Sequence, residues 1–286
     1  MQNVLVTGAN SGIGRATAVR CAVAGHRVFA AMRDLTKADK LLALASEAGA
    51  RVEPVELDVT DGDSVRQCFD AAPPIDILVN NAGIAWNAAV EDVEIDAAKR
   101  VFETNYWGVI RCIQAVIPGM RERGAGTIVN VSSVMGRVAG IGQPIYASSK
   151  WALECLSENL AQEVAPFGIR VIVIEPGVTR TAILAKNADH PRPTHYESAY
   201  RRMMQFHVKG AEANATSEGV AETIIGALDD PGQRLRYPCA WGGAEMTAGR
   251  ARMSDEEWIG LGVAHDDEAY YDEFERLFGL DLRVDR

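Results

Sequence analysis

Thr7-Gly8-Ala9-Asn10-Ser11-Gly12-Ile13-Gly14 is the stretch that decides the fold. It lies between an apolar run at 4–6 and a segment with apolar residues at helical spacing, which predicts a strand, a loop and a helix in succession. Amides at the start of such a helix can hold a pyrophosphate, and glycine is needed where the backbone must approach the phosphate. We therefore predict that a dinucleotide contacts Gly8, Asn10, Ser11, Gly12, Ile13 and Gly14.

Further along the chain, short β-branched runs alternate with helical patterns. The predicted strands are 3–7, 27–32, 52–56, 75–80, 127–132 and 169–175. Several of these runs are apolar on both faces, which is typical of strands covered by helices on either side of a parallel sheet. The sequence therefore predicts an α/β fold, with a doubly wound Rossmann-type parallel sheet and helices on both of its faces.

No repeat or linker divides the first 180 residues, so we expect a single domain with two additions. Residues 1–237 form the predicted Rossmann-type domain, completed by a helix at 217–228 and a short strand near Leu235. Within it, 182–210 is polar, contains scattered aromatic residues and is too long for an ordinary connection, which indicates a substrate lid. Residues 238–286 are predicted to be a C-terminal extension packed on the same domain.

The composition narrows the classes of function. A net charge of −10 repels polyphosphate backbones, so we expect a small-molecule substrate and no nucleic-acid partner. No stretch approaches the roughly 20 apolar residues of a membrane span and no leader is evident, so a cytoplasmic location is expected. The five cysteines have neither disulfide-framework nor metal-ligand spacing, so no metal site is predicted.

The end of the second predicted strand bears on the choice of cofactor. In many dinucleotide folds an acid at this point accepts hydrogen bonds from the adenosine ribose, but here the strand ends Ala30-Ala31-Met32-Arg33. An arginine can bind a 2′-phosphate bidentately, whereas a carboxylate would repel it. Arg33 therefore predicts NADP(H) in preference to NAD(H). The alternative is a surface arginine paired with Asp34.

A tyrosine and a lysine form the candidate catalytic pair. A helix beginning near Ile145 would carry Tyr146 and Lys150 four residues apart, which places the phenol and the ammonium on one face. A phenol with a pKa of about 10 is a poor acid–base catalyst near neutrality. Because an adjacent ammonium stabilises the phenolate, we expect Lys150 to lower the pKa of Tyr146.

Together these elements resemble the short-chain dehydrogenase/reductase family. The resemblance covers residues 3 to about 181 and is carried, in order, by T-G-x-x-x-G-x-G at 7–14, Asn80-Asn81-Ala82-Gly83, Ser133, Tyr146-Ala147-Ser148-Ser149-Lys150 and Pro176-Gly177. It implies that Tyr146 protonates the substrate oxygen as hydride reaches carbon, and that Lys150 also holds the nicotinamide ribose. Ser133, at the family's spacing from the tyrosine, would hold the substrate oxygen near the phenol.

The resemblance implies further site residues. Asn105 would anchor a water in a proton relay; taken alone, it is equally consistent with a helix kink or cap. Asp58 would hydrogen-bond the adenine amino group, although it and 81–83 could be turn residues only. Beside the glycine-rich loop and Arg33, the implied cofactor contacts are Asp58, Val59, Asn81, Ala82, Gly83, Tyr146, Lys150, Pro176, Gly177, Val178 and Thr181.

The function implied is hydride transfer between NADP(H) and a carbonyl/secondary-alcohol pair, with reduction favoured. The substrate is expected to be hydrophobic, because parts of the chain resemble hydroxysteroid and retinol dehydrogenases. A non-enzymatic NADP(H) sensor or scaffold is the alternative, although that class typically loses the tyrosine or the lysine. An epimerase or dehydratase is disfavoured by the glycine spacing.

Three further expectations concern packing and assembly. The segment 136–144, with Val138, Ile141 and Gln143, should form a wall of the substrate pocket, and Met203 and Phe206 in the lid should contact substrate. Aromatic residues of the tail recur at helical spacing, which predicts an amphipathic helix. The resemblance implies a homodimer or homotetramer joined through the helices carrying Asn105 and Tyr146. Trp107 is expected to pack in the core.

Overall fold

A computed structural model of the chain describes residues 1–180 and 195–283. Within this part of the chain, seven strands form one parallel sheet in the order β3-β2-β1-β4-β5-β6-β7. The strands are β1 (Asn3–Thr7), β2 (Arg27–Met32), β3 (Glu53–Glu56), β4 (Ile77–Asn80), β5 (Gly126–Val131), β6 (Ile169–Pro176) and β7 (Arg236–Cys239). The predicted doubly wound parallel sheet is confirmed.

Helices cover both faces of this sheet. The helices among the described residues are α1 (Gly12–Val23), α2 (Asp39–Glu47), α3 (Gly62–Ala71), α4 (Ile95–Phe102), α5 (Gly108–Arg123), α6 (Pro144–Val164), α7 (Glu197–Glu212), α8 (Ser217–Asp229), α9 (Gly243–Arg252), α10 (Asp255–Gly262) and α11 (Asp267–Phe278). A π-helical turn, Glu103–Trp107, joins α4 to α5. No described helix is long and apolar enough to cross a membrane.

The alternation of side chains along β1 shows why the strands are apolar throughout. Val4 and Val6 are fully buried on one face, in a core that includes residues of α1 and α8. Leu5 points to the other face and is equally buried, in a core that includes residues of α5 and α6. Because successive side chains of a strand point to opposite faces, a sheet covered on both sides requires this continuous apolar pattern.

The C-terminal segment is built onto the edge of the sheet. Strand β7 spans the predicted boundary at 237/238, so the extension shares a strand with the Rossmann-type domain. The Gly177 amide donates to the Cys239 carbonyl at 2.8 Å, and the Val178 amide donates to the Trp241 carbonyl at 3.0 Å. These bonds attach the start of the tail to the end of β6.

The predicted tail helix is confirmed, and the described part of the lid packs against it. Tyr270, Phe274 and Phe278 of α11 are buried. Residues 182–194 of the predicted lid lie outside the described residues, whereas α7 occupies most of the remainder. Phe206 on α7 is buried, with its ring centroid 6.1 Å from that of Phe274. The described part of the lid is therefore an ordered helix.

Candidate active site

The glycine-rich loop has the geometry of an anion-binding turn. Gly8 and Gly12 have φ angles of +68° and +53°, a region that favours glycine. A Cβ at Gly14 would clash with the Asn81 side chain and with the Gly8 carbonyl, so α1 can approach the sheet this closely only without a side chain there. Ser11, at the N-cap of α1, makes no side-chain cap hydrogen bond. The first-turn amides are thus not occupied by a cap, which suits phosphate binding.

The loop after β4 lies beside this turn, at the point where the strand order reverses. Asn81 and Ala82 each donate a backbone hydrogen bond to the Thr7 hydroxyl, at 2.9 and 3.0 Å. The side-chain amide nitrogen of Asn81, Nδ2, also donates to the Thr7 carbonyl at 2.9 Å. The structure therefore brings 81–83 and the glycine-rich loop to one crevice at the carboxyl edge of the sheet, where doubly wound folds bind ligands.

Arg33 is exposed at the end of β2, and its side chain makes no ion pair or hydrogen bond with any described residue. The alternative pairing with Asp34 is not formed. The Asp34 carboxylate instead accepts from Thr36 at 3.1 Å and pairs with Lys37 at 3.2 Å. The Arg33 guanidinium is consequently available to an anionic ligand.

Asp58 combines turn geometry with a place beside the crevice. One of its carboxylate oxygens accepts from the Thr60 amide at 2.9 Å and from the Thr60 hydroxyl at 2.7 Å. These hydrogen bonds show that Asp58 is a turn residue, which was one of the two roles that the sequence allowed. The predicted contacts of Asp58 and of the adjacent Val59, which is buried, with the adenine remain predictions.

Three of the four predicted catalytic residues, Ser133, Tyr146 and Lys150, come together between the end of β5 and the start of α6. Helix α6 begins at Pro144, one residue earlier than predicted, because proline is favoured in the first turn. The buried Lys150 side chain donates from Nζ to the Val131 carbonyl at 2.8 Å, and Nζ lies 5.8 Å from the Tyr146 ring centroid. Ser133 lies two residues beyond the end of β5, and its hydroxyl accepts from the Met135 amide at 3.1 Å.

The ionisation of this pair differs from the expectation. Burial raises the pKa of Tyr146, and the neighbouring Ser133 hydroxyl lowers it by less. The predicted lowering of the phenol pKa is therefore wrong in direction, because loss of water around a phenolate outweighs the stabilisation by its neighbours. Burial also lowers the pKa of Lys150 to about 8, and the negative charge of Glu154 opposes this change.

Asn105 ties three parts of the site together. It is fully buried in the π-helical turn, where its side-chain oxygen accepts from the Ile84 amide at 2.9 Å. Its amide nitrogen donates to the Ile84 carbonyl at 2.9 Å and to the Ser149 hydroxyl at 3.0 Å. The loop after β4, the α4–α5 junction and α6 are thereby held in one arrangement. Its role in a proton relay stays a prediction.

The end of β6 closes the site on the tail side. A Cβ at Gly177 would clash with the Trp241 carbonyl, so only glycine permits this contact between the two backbones. Pro176 ends β6, and its carbonyl accepts from the Ser133 hydroxyl at 3.4 Å. Val178 is buried. The predicted contact at Thr181 lies outside the described residues.

Two neighbouring cavities lie next to the segment after Ser133, and Gly140 and Ile141 line both. One, of about 320 Å³, lies between the loop after β4 and the start of α7. The other, of about 280 Å³, is lined by apolar side chains of α7 and the tail, including Met203, Phe206 and Phe274. Gln143 lines this second cavity as expected, whereas Val138 is fully buried and lines neither.

The sequence analysis missed a buried group of charges behind Lys150. Glu154 on α6 and Glu175 on β6 are both buried, and Arg236 on β7 contacts both carboxylates. One signal was available in the sequence, since Glu175 directly follows the apolar run 171–174 of β6. Its partners could not be inferred without knowing that β7 lies next to β6.

The chain belongs to the short-chain dehydrogenase family, whose sequence profile matches residues 2–192. It is 36% identical over 249 residues to the uncharacterized oxidoreductase YusZ of Bacillus subtilis, covering 83% of this chain and 89% of that protein. Over 190 residues it is 40% identical to human retinol dehydrogenase 8, covering 65% of this chain and 61% of that protein. Human 17-beta-hydroxysteroid dehydrogenase type 1 is 35% identical over 250 residues, which cover 82% of this chain and 76% of that protein. The protein is thus a member of an oxidoreductase family.

Solved structures agree with this assignment. A short-chain dehydrogenase from Streptomyces avermitilis superposes with a TM-score of 0.79 at 34% identity, covering 92% of this chain and 98% of that chain. One from Sphingobium yanoikuyae, in complex with NADPH, has a TM-score of 0.69 at 27% identity, with 92% and 93% covered. One from Burkholderia phymatum, in complex with NAD, has a TM-score of 0.71 at 25% identity, with 82% and 87% covered. The structural neighbours therefore include binders of either nicotinamide dinucleotide.

Proposed function

We propose that the protein is an NADP(H)-dependent oxidoreductase that interconverts a ketone and a secondary alcohol of a hydrophobic substrate. The observation that carries this proposal is the convergence of Ser133, Tyr146 and Lys150 at the carboxyl edge of the sheet, on the same edge as the glycine-rich loop. A sensor or scaffold would have no need of this set of side chains. Their presence favours an enzyme.

The residues of the crevice fit a dinucleotide cofactor. The uncapped start of α1, the positive φ angles of Gly8 and Gly12, and the free guanidinium of Arg33 suit its phosphates. The amides of 12–14 would hold the pyrophosphate, Arg33 the 2′-phosphate and Lys150 the nicotinamide ribose. When bound, the cofactor supplies hydride to the carbonyl carbon or accepts it from the alcohol.

Three side chains, Ser133, Tyr146 and Lys150, would carry out the proton transfer. The Ser133 hydroxyl would hydrogen-bond the substrate oxygen and hold it near the Tyr146 phenol. Because burial raises the pKa of Tyr146, the phenol is protonated at neutral pH and is ready to donate to that oxygen in the direction of reduction. The phenolate that results is buried, and the Lys150 ammonium beside the ring would stabilise it.

The substrate class is inferred from the two cavities. Methionine and aromatic side chains make up nearly half of the lining of the second, and they suit a bulky apolar molecule. Two relatives are named for retinol and hydroxysteroid substrates, both of this kind. Oxidation of NADPH should be assayed against a panel of aromatic, steroidal and aliphatic ketones. The proposal requires turnover of at least one bulky ketone, and failure of every ketone with bound NADPH would favour the sensor alternative.

Arg33 is expected to determine the cofactor preference. A paired arginine–phosphate contact contributes about 2 kcal/mol, or roughly thirtyfold in affinity. NADPH should therefore bind at least about tenfold more tightly than NADH, and Arg33→Ala should remove most of this difference without weakening NADH binding. Dissociation constants for both cofactors, measured by fluorescence or calorimetry, provide the test.

Arg51→Ala is the matched control for this measurement. Arg51 is also exposed and makes no ion pair with any described residue. It precedes β3 and therefore lies at the amino edge of the sheet, whereas Arg33 lies at the carboxyl edge. Its replacement should leave both dissociation constants unchanged. Equal affinity of the unaltered protein for NADPH and NADH would show that Arg33 does not select the phosphorylated cofactor.

We also propose that the protein forms a homo-oligomer through α5 and α6. Trp107, in the turn that leads into α5, and Trp151 on α6 are 49% and 48% exposed. The expected core packing of Trp107 is therefore wrong. Large exposed aromatic side chains at the start of α5 and on α6 are consistent with a contact surface. Sedimentation equilibrium would test the proposal, with a monomer at micromolar concentration as the contrary result.

A further inference from the structure

One guanidinium group bridges two buried carboxylates behind Lys150. Arg236 Nε lies 2.9 Å from Glu154 Oε2 and 3.3 Å from Glu175 Oε1. The outer side of the cluster is closed by Glu158, 2.6 Å from Arg236, and by Arg137, 3.4 Å from Glu175. Glu154 and Glu175 are only 4% and 2% exposed, so their charges face almost no water. We call these five side chains the charge cluster.

The charge cluster is not optimally paired for stability. Among the described residues, Glu154 Oε1 and the Ser132 hydroxyl are buried and have no hydrogen-bond partner. Both groups surround Gly136, where a Cβ would lie 2.8 Å from Ser132 Oγ, 2.9 Å from Glu154 Cγ and 3.1 Å from the Lys150 carbonyl. A buried carboxylate with an unsatisfied oxygen costs stability. This cost in a crowded place next to a catalytic lysine indicates a functional reason.

Glu154 is placed to act on Lys150. The two side chains are one helical turn apart on the same face of α6. The Lys150 ammonium is 5% exposed and makes a single hydrogen bond within the described residues, to a neutral carbonyl. In this dry environment the Glu154 carboxylate is the charge that favours the ammonium, and it opposes the lowering of the Lys150 pKa by burial.

Glu175 adds a response to pH. Burial and the nearby Glu154 raise its pKa to about 7, while Arg137 and Arg236 oppose this. The groups that face it are Glu154 from α6, Arg236 and Cys239 from β7, and Arg137. As the pH rises through about 7, Glu175 loses its proton and the negative charge behind Lys150 increases.

We propose that Glu154 and Glu175 form a coupled acid pair that keeps Lys150 in its ammonium form, and that they are positioning residues for the Tyr146–Lys150 pair. The acid pair itself is independent of the proposed function, whereas its effect on turnover rests on it. Arg236 and Arg137 hold the two carboxylates at this position. The charge of Lys150 is thereby maintained in a place where burial alone would remove it.

The pKa of Lys150 provides a test that does not depend on activity. In protein with 13C-labelled lysine side chains, the Lys150 resonance is assigned with a Lys150→Arg variant and titrated. Glu154→Gln should lower the Lys150 pKa by about one pH unit, because a nearby opposite charge is lost. Glu158→Gln is the matched control, since it removes the same charge from the same arginine but lies a further turn along α6 and is half exposed.

Turnover should follow the titration. At a pH above the Lys150 pKa, the kcat of Glu154→Gln should be about tenfold below that of the unaltered enzyme and should recover as the pH is lowered. Glu158→Gln should have the profile of the unaltered enzyme. A purely structural role of Glu154 would lower the melting temperature without moving the profile. Equal pKa shifts in the two variants, or none in Glu154→Gln, would overturn the proposal.

The unaltered protein provides a second test in case Glu154→Gln does not fold. With 13C-labelled glutamate side chains, the Glu175 carboxyl should titrate near neutrality, and the Lys150 resonance should show an inflection at the same pH. A Lys150 resonance that does not respond to the Glu175 titration would overturn the coupling. If the pair titrates as expected but no ketone is turned over, only the proposed function fails.

Discussion

Replacement of Tyr146 by phenylalanine is expected to lower kcat by about three orders of magnitude, the upper part of the range for proton transfer by a positioned side chain. The change removes the phenol proton and leaves the ring. The raised pKa of this phenol means that it carries its proton at neutral pH, and the phenylalanine ring has no proton to donate in reduction. Steady-state kinetics on a ketone that the unaltered enzyme reduces provide the measurement.

The cofactor should still bind to this variant, because Lys150 and the glycine-rich loop are intact. Lys150→Ala, by contrast, should weaken both cofactor binding and turnover, since one ammonium serves the ribose and the phenolate. Tyr271→Phe is the control for loss of a phenol hydroxyl, because Tyr271 lies on α11 in the tail. Retention of more than about a tenth of the activity in Tyr146→Phe would show that this tyrosine is not the acid.

Truncation of Met203 or Phe206 is expected to reduce kcat/KM for a bulky polycyclic ketone about 5- to 150-fold. Both side chains line the apolar cavity between α7 and the tail, and each contributes about 1–3 kcal/mol if a substrate buries it. A small ketone does not reach them and should lose much less. The comparison of the two substrates in Met203→Ala and Phe206→Ala is the measurement.

Because Met203 and Phe206 are buried, the experiment needs a control for loss of stability. Both side chains are buried, and Phe206 packs in a core with the tail helices, so truncation also costs stability, on the order of 2–5 kcal/mol. Met120→Ala is the matched variant, because Met120 is fully buried in a different core and does not line either cavity. It should affect both ketones equally. An equal loss for the two ketones in Met203→Ala and Phe206→Ala would mean that these residues are structural only.

Several features of the protein follow from the sequence because they depend on neighbours along the chain. The glycine-rich loop is such a case, since the strand, the turn and the first helical turn lie within about twenty residues and their periodicities are local. The same holds for Tyr146 and Lys150, which any helix would place on one face. The resemblance to a family extended this to Ser133 and to residues of the crevice. The fold and the candidate catalytic residues could therefore be predicted without coordinates.

The ionisation of these residues was decided by the tertiary structure. The pKa of Tyr146 depends on how much water its neighbours exclude. Those neighbours come from different segments of the chain, and their packing is not contained in the sequence spacing. Asn105 is similar, since its partners Ile84 and Ser149 lie 21 and 44 residues away along the chain. Both residues were identified from the sequence, but their surroundings were not.

The charge cluster shows the same limit most clearly. Glu154, Glu175 and Arg236 come from α6, β6 and β7, and they meet only because β7 adds to the sheet beside β6 and α6 packs across it. Strand order is set by the competition among all possible pairings of the folded chain, so no local pattern contains it. The sequence by itself determined which groups could carry out proton transfer. Only the packing of distant segments determined which of these groups are excluded from water, which carry a charge and which interact electrostatically with one another.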